Sequence, residues 1–231
     1  MKLKRTIKTI LIRLKIIHSA NLSNKGERID IFKNTKNWQD LDPVKKTHLK
    51  RYEFAQTLVN INDICADMAC GTGYGSVILS SKAKAVYGVD LDSRVINEIT
   101  KRYKNNSNVF FECQNLLNID YKNKFDKIIS YETIEHLDEK DIVTALTKFN
   151  RALVDNGILI FSTPYLQLKS DKAIKMGFHR TFDIDENKIK GWLYETHFEL
   201  CYFKYQNYSS CIVADDLEWK DFIICVATKQ L

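Results

Sequence analysis

Residues 66–76 read ADMACGTGYGS, where a hydrophobic stretch runs into three closely spaced glycines and a helix-compatible segment follows. Gly71 and Gly73 fall where a first strand must turn sharply. A missing β-carbon lets a ligand lie against the backbone there, while the next helix offers unpaired N–H groups. The spacing departs from the dinucleotide fingerprint G-x-G-x-x-G, because Ser76 takes the sixth position and the third glycine arrives early, at Gly75. Downstream, VYGVD ends on Asp90, a carboxylate placed at a strand tip to accept hydrogen bonds from both ribose hydroxyls. That geometry serves nicotinamide and adenosyl cofactors alike.

Outward from this turn the chain alternates. Short apolar runs at 61–68, 85–90, 108–113, 125–131 and 157–162 predict strands, and 74–82, 93–104 and 139–154 predict helices between them. Alternation of this kind produces a parallel sheet with helices on both faces. Residues 164–183 break the rhythm as an insertion over the mouth of the sheet, before a helix near 185–195. The runs 197–206 and 221–228 then finish the sheet as a hairpin-like pair. Upstream, Pro43 opens a helix through Val59, with Asp42 placed to cap it.

The 231 residues and 45% hydrophobic content suit one compact domain with a sizeable core. Of the net charge of +6, residues 1–18 already contribute six basic side chains and no acid, so the remaining body is near neutral. That balance argues against a general nucleic-acid partner. The six cysteines form no C-x-x-C pair and read as buried reduced thiols, which fits a cytoplasmic location. No stretch approaches the roughly 20 apolar residues of a membrane span. Leu3, Ile7, Ile10, Leu11, Leu14 and Ile17 recur at helical spacing opposite the basic residues. This predicts a basic amphipathic helix over 1–18 that packs on the domain or a second subunit, or lies through residues 2–17 on the anionic inner face of the cytoplasmic membrane. Lysines and arginines interrupt every apolar core a cleavable signal would need. A linker or lid and the first helix occupy 19–60, and the main domain occupies 61–231.

Four segments in order decide between the cofactors: DMACGTGYG (67–75), VYGVDLD (86–92), FDKIISYETIEHL (125–137) and NGILIFSTP (156–164). Through them the sequence resembles the Rossmann-like S-adenosylmethionine (SAM) methyltransferases over roughly residues 50–228. The resemblance implies an α/β, three-layer sandwich with a mostly parallel seven-stranded sheet and an antiparallel last strand. It implies SAM as cofactor, with Asp67, Gly71 and Gly73 at its methionine end, Asp90 on the ribose and Asn115 at the adenine edge. Ala69, Leu91 and Leu116 join the cofactor set as neighbours of those residues. Tyr74 and Ser76 flank the turn near the cofactor carboxylate, and Tyr131 closes over the sulfonium. Transfer of the methyl needs a nucleophile aligned with the sulfur–carbon bond and, for a hydroxyl, a route for its proton.

YETIEHL follows the fourth predicted strand at the ligand-binding end of the sheet. On a helical turn, Glu132, Glu135 and His136 stand at i, i+3 and i+4 on one face, and two carboxylates with an imidazole invite a divalent cation, Mg²⁺ or Mn²⁺. E-x-x-E-H also resembles the metal-binding motif of the small-RNA 2′-O-methyltransferases and the ubiquinone-pathway O-methyltransferases. By that resemblance the metal set is Glu132, Glu135, His136 and His179, the last from GFHRTFD. A metal-free site is the alternative, with His136 or His179 as general base and Glu132 beside it as a catalytic carboxylate. Tyr165 and Arg180 are candidates to face substrate, and Trp38, His48 and Arg51 precede the first strand where related enzymes fold a lid.

GER (26–28), H-x-x-R-Y-x-F-A (48–55) and CGTGYGS resemble bacterial methyltransferases of surface-polysaccharide synthesis. The acceptor this implies is a sugar hydroxyl in a glycan or nucleotide sugar. A quinone precursor and the 3′-terminal ribose of an RNA are the enzymatic alternatives, and a non-catalytic SAM-binding partner protein is the alternative of another class.

Overall fold

The computed structural model describes residues 28–31, 41–169 and 179–230. The expectations for residues 1–18 and for Trp38 lie outside them. Helix α1 (Pro43–Thr57) begins as predicted: Asp42 Oδ1 accepts from Lys45 N at 2.8 Å and proline takes the first turn. Strand β1 (Ile64–Met68), α2 (Tyr74–Ser80), β2 (Ala85–Asp90), α3 (Ser93–Arg102), β3 (Val109–Cys113) and β4 (Phe125–Tyr131) follow in alternation. They are succeeded by α4 (Glu139–Ala152), β5 (Leu153–Pro164), α5 (Glu186–Glu195), β6 (Phe198–Gln206), β7 (Val213–Ala214) and β8 (Phe222–Lys229). Aspartates also cap α3 and α5: Asp92 accepts from Arg94 N at 3.0 Å and Asp185 from Lys188 N at 2.8 Å.

The eight strands form one sheet in the order β3-β2-β1-β4-β5-β8-β6-β7. Strands β1 to β5 are parallel, and β8 runs antiparallel between β5 and β6. That interior position explains the unbroken apolar run of β8, whose first six residues are all buried. The expected seven strands are joined by an eighth, because Val213 and Ala214 pair with Gln206 and Tyr205 across the sheet edge.

Two apolar layers cover the sheet. Tyr52 and Ala55 of α1 pack with Val77 and Ile78 of α2 and Ile99 of α3 on one face. Ile142, Leu146 and Phe149 of α4 pack with Ile189 and Trp192 of α5 on the other. Helix α1 is therefore part of the core. Strand order reverses between β1 and β4, and open α/β sheets bind ligands beyond the strand tips at such a point. No helix among the described residues is long and apolar enough to cross a membrane.

Candidate active site

After β1 the backbone takes positive φ three times, at Ala69 (62°), Gly71 (52°) and Gly73 (75°), and folds back toward β2. Gly71 N donates to Asp90 Oδ2 at 3.0 Å, which ties the turn to the tip of β2. A cavity of about 330 Å³ opens there, walled by Ala69, Gly71, Tyr74, Asp90 and Tyr131. A β-carbon on Gly71 would meet nothing within 4 Å, so this glycine keeps space open. Gly75 differs, since a β-carbon there would lie 2.0 Å from the Tyr52 ring. The third glycine of the motif serves helix packing.

Asp67, expected at the methionine end of the cofactor, does not line the cavity. It is fully buried behind the turn, accepting from Tyr52 Oη at 2.8 Å and Ser76 Oγ at 2.7 Å. Burial pushes its carboxyl up to about 6, against the pull of those two hydroxyls. Leu91, Asn115 and Leu116 also stand apart from the cavity wall. Leu91 is 69% exposed, Asn115 Oδ1 accepts from Leu117 N at 2.9 Å, and Leu116 packs against the α4 and α5 layer. Over the cavity lies the segment 28–31. Thr72 Oγ1 donates to Ile29 O at 2.7 Å, Arg102 pairs with Asp30 at 2.7 Å, and Arg28 reaches Asp90 and Asp92 at 3.2 Å each.

A second cavity of about 540 Å³ adjoins the first and shares Ile29, His48, Glu132 and His136 with it. Glu135, Tyr165, Gln167, His179, Tyr208 and Lys220 complete its wall. The expected helical face of Glu132, Glu135 and His136 does not form. Residues Ile134–His136 make one short turn, and Glu132 sits before it with φ 51°. Its carboxylate is taken by Arg51, which is wholly buried, and by Ser162 Oγ at 2.8 Å. Both contacts fall on Oε1, and Glu132 does not stand among the residues whose donor atoms converge.

The other three predicted ligands do converge. One donor atom from each of Glu135, His136 and His179 lies within 4.8 Å of the others. Arg180 N and Thr181 N donate to Glu135 O at 2.8 and 3.1 Å, pinning the returning chain so that the His179 ring stands 5.0 Å from that of His136. His179 Nδ1 also contacts Gln167 Oε1 at 2.6 Å. Burial first, and the charge of Glu132 second, hold the Glu135 carboxyl well above the usual carboxylate range. Its Oε2 is buried without a hydrogen-bond partner, an arrangement a bound cation would satisfy. Arg180 faces Asp138 at 3.1 Å on the surface.

His48 and Arg51 bear on the site more directly than their place among the lid candidates implied. Their i, i+3 spacing sets both on one face of α1. Tyr208 and Lys220 carried no local signal, because separate segments bring them to the second cavity, and Arg28 entered only as part of GER (26–28).

Sheet order, glycine turn and Asp90 together give a Rossmann-like α/β architecture with a cavity at its switch point. Residues 65–157 match the family model described as a methyltransferase domain. The chain is 27% identical over 140 residues to the malonyl-[acyl-carrier protein] O-methyltransferase of Acetivibrio thermocellus, covering 57% of this chain and 46% of that protein. It is 31% identical over 131 residues to the protein MJ1252 of Methanocaldococcus jannaschii, covering 56% and 48%. The chain thus spans about half the length of the curated relatives it matches. Among solved structures, the N-methyltransferase NodS of Bradyrhizobium japonicum in complex with S-adenosylhomocysteine superposes with a TM-score of 0.64 at 18% identity, covering 97% of this chain and 98% of that one. Residues 65–157 are thus similar to a methyltransferase domain, and the chain has the fold of the class I SAM-dependent methyltransferases.

Proposed function

We propose that the chain transfers the methyl group of SAM to a sugar hydroxyl, in a glycan or nucleotide sugar of bacterial surface-polysaccharide synthesis. The observation that carries this reading is the pair of adjoining cavities with a common wall of Ile29, His48, Glu132 and His136. One has a cofactor-sized volume beside a glycine turn and a strand-tip carboxylate, and the other, walled by polar and apolar groups alike, is large enough for a sugar ring. SAM, when bound, supplies an electrophilic methyl carbon on a sulfonium. Asp90 offers its carboxylate to the ribose, Gly71 leaves room for the methionine end, and Tyr131 closes part of the cofactor cavity.

Glu135, His136 and His179 fit a divalent cation, and two imidazoles with one carboxylate suit Mn²⁺ better than the oxygen-loving Mg²⁺. Such an ion supplies Lewis acidity that lowers the pKa of a bound hydroxyl. The basic, amphipathic pattern of residues 2–17 supports contact with the anionic inner membrane, where lipid-linked glycans are built.

The test is SAM turnover with UDP-glucose, catechol and a short RNA as acceptors, with and without EDTA. Methylation of UDP-glucose that EDTA abolishes and Mn²⁺ restores is the expected outcome. Full activity in chelator contradicts the metal, exclusive methylation of catechol or RNA contradicts the sugar, and SAM binding without any turnover points to a non-catalytic partner.

A further inference from the structure

His48 lies on α1 between Thr47 and Leu49, both buried, and lines both cavities. Its Nδ1 is 2.9 Å from the hydroxyl of Tyr74, the first residue of α2 after the glycine turn. The charged and titratable groups that share its helix or its cavities come from several elements. Arg51 and Tyr52 share its helix, Tyr74 belongs to α2, Glu132 and His136 follow β4, Arg28 belongs to the covering segment, and Lys220 and Asp221 line the second cavity before β8. Burial first, and the Arg51 charge second, hold the His48 imidazole well below its ordinary range, so the ring is neutral near pH 7.

A hydroxyl that attacks a sulfonium must give up its proton, and the group that takes it has to stand where the two cavities meet. His136 and His179 fall in the three-residue group that fits a cation, which when bound would take a lone pair from each. Glu132 is held by the buried Arg51. His48 remains, with Nδ1 engaged by Tyr74 and Nε2 left for a ligand. We propose that His48 is the proton acceptor of the reaction, with Tyr74 as the positioning residue that fixes its tautomer. The inference rests on the O-methyl-transfer reading above.

In the step, the acceptor O–H bond breaks and its proton passes to His48 Nε2. The oxygen lone pair forms the O–CH₃ bond as the S–CH₃ bond breaks, and that pair stays on sulfur as a neutral thioether. Burial keeps the Tyr74 phenol protonated far above neutral pH. Tyr74 lines the cofactor cavity, so its O–H can donate to a cofactor carboxylate or a water there. Its oxygen then accepts from His48 Nδ1–H, and Nε2 presents its lone pair.

Nitrogen-15 NMR of the histidine rings in the protein loaded with S-adenosylhomocysteine tests this without any acceptor, the His48 signals being assigned by their loss in His48→Gln. The expected result is a neutral His48 from pH 6 to 8 with the proton on Nδ1, and loss of that tautomer preference in Tyr74→Phe. An imidazolium at pH 7, or a proton resident on Nε2, overturns the proposal. With UDP-glucose and catechol as probes, His48→Gln is expected to lower kcat by about 10²- to 10⁴-fold. A retained kcat overturns it. Failure of the underlying reading is distinct: wild-type protein would then methylate neither hydroxyl probe, whatever the state of His48.

Discussion

Replacing Gly75 by alanine sets a β-carbon 2.0 Å from the Tyr52 ring, and overpacking of that kind costs about 1–3 kcal/mol. Urea unfolding of Gly75→Ala is expected to show that loss, and an unchanged midpoint would contradict the packing role. Gly71 looks equivalent in the sequence, yet only its partner-free surroundings leave space for a ligand. The motif revealed a turn, but the difference between its glycines depends on Tyr52, which a different helix supplies. Asp67 was equally legible as important and illegible in role, because the Tyr52 and Ser76 hydroxyls that consume its oxygens arrive from α1 and α2. Its carboxyl is raised from 3.8 to about 6. Between those values the native chain keeps a proton the unfolded chain has released, so stability falls as pH rises through about 4 to 6. Asp67→Asn is expected to flatten that fall, by on the order of 3 kcal/mol for this one group. Denaturation midpoints across the window check it, and an unaltered slope would show that other groups set the dependence.

At the scale of elements, the segment 28–31 matters most to cofactor entry. Asp90 Oδ1 already accepts from Asp92 N at 3.0 Å and from Arg28 at 3.2 Å, while Oδ2 accepts from Gly71 N at 3.0 Å. A ribose donating two hydroxyls needs acceptor capacity that Arg28 now uses. Arg28→Ala is expected to tighten binding of S-adenosylhomocysteine several-fold in calorimetry, and a weaker affinity would mean that Arg28 holds the cofactor instead. Element boundaries followed local chemistry, as Asp42, Asp92 and Asp185 show by capping α1, α3 and α5. The turn after β4 did not follow it. Glu132 leaves the helical face because Arg51, from α1, draws its carboxylate inward, and no pattern within YETIEHL records that partner.

For the whole molecule, the alternation of apolar runs from residue 61 to 162 was enough to predict the parallel half of the sheet. Its period reports both faces being covered, as in β1 and β4, where nearly every residue is buried. The placement of β8 between β5 and β6 was not readable, since register across distant strands is a tertiary choice. The added strand β7 is too short at two residues to leave a pattern. The cavities inherit this division. Glycine turn and Asp90 come from consecutive units and were visible, whereas the second cavity gathers residues from α1, the turn after β4, the insertion and the approach to β8. The central claim, that the first cavity receives SAM, is tested most directly by titrating S-adenosylhomocysteine into the protein and its Asp90→Ala variant in a calorimeter. Saturable one-to-one heat in the wild type, at least tenfold weakened in the variant, is the predicted result. Absence of heat in the wild type, or equal affinity in both, would contradict it.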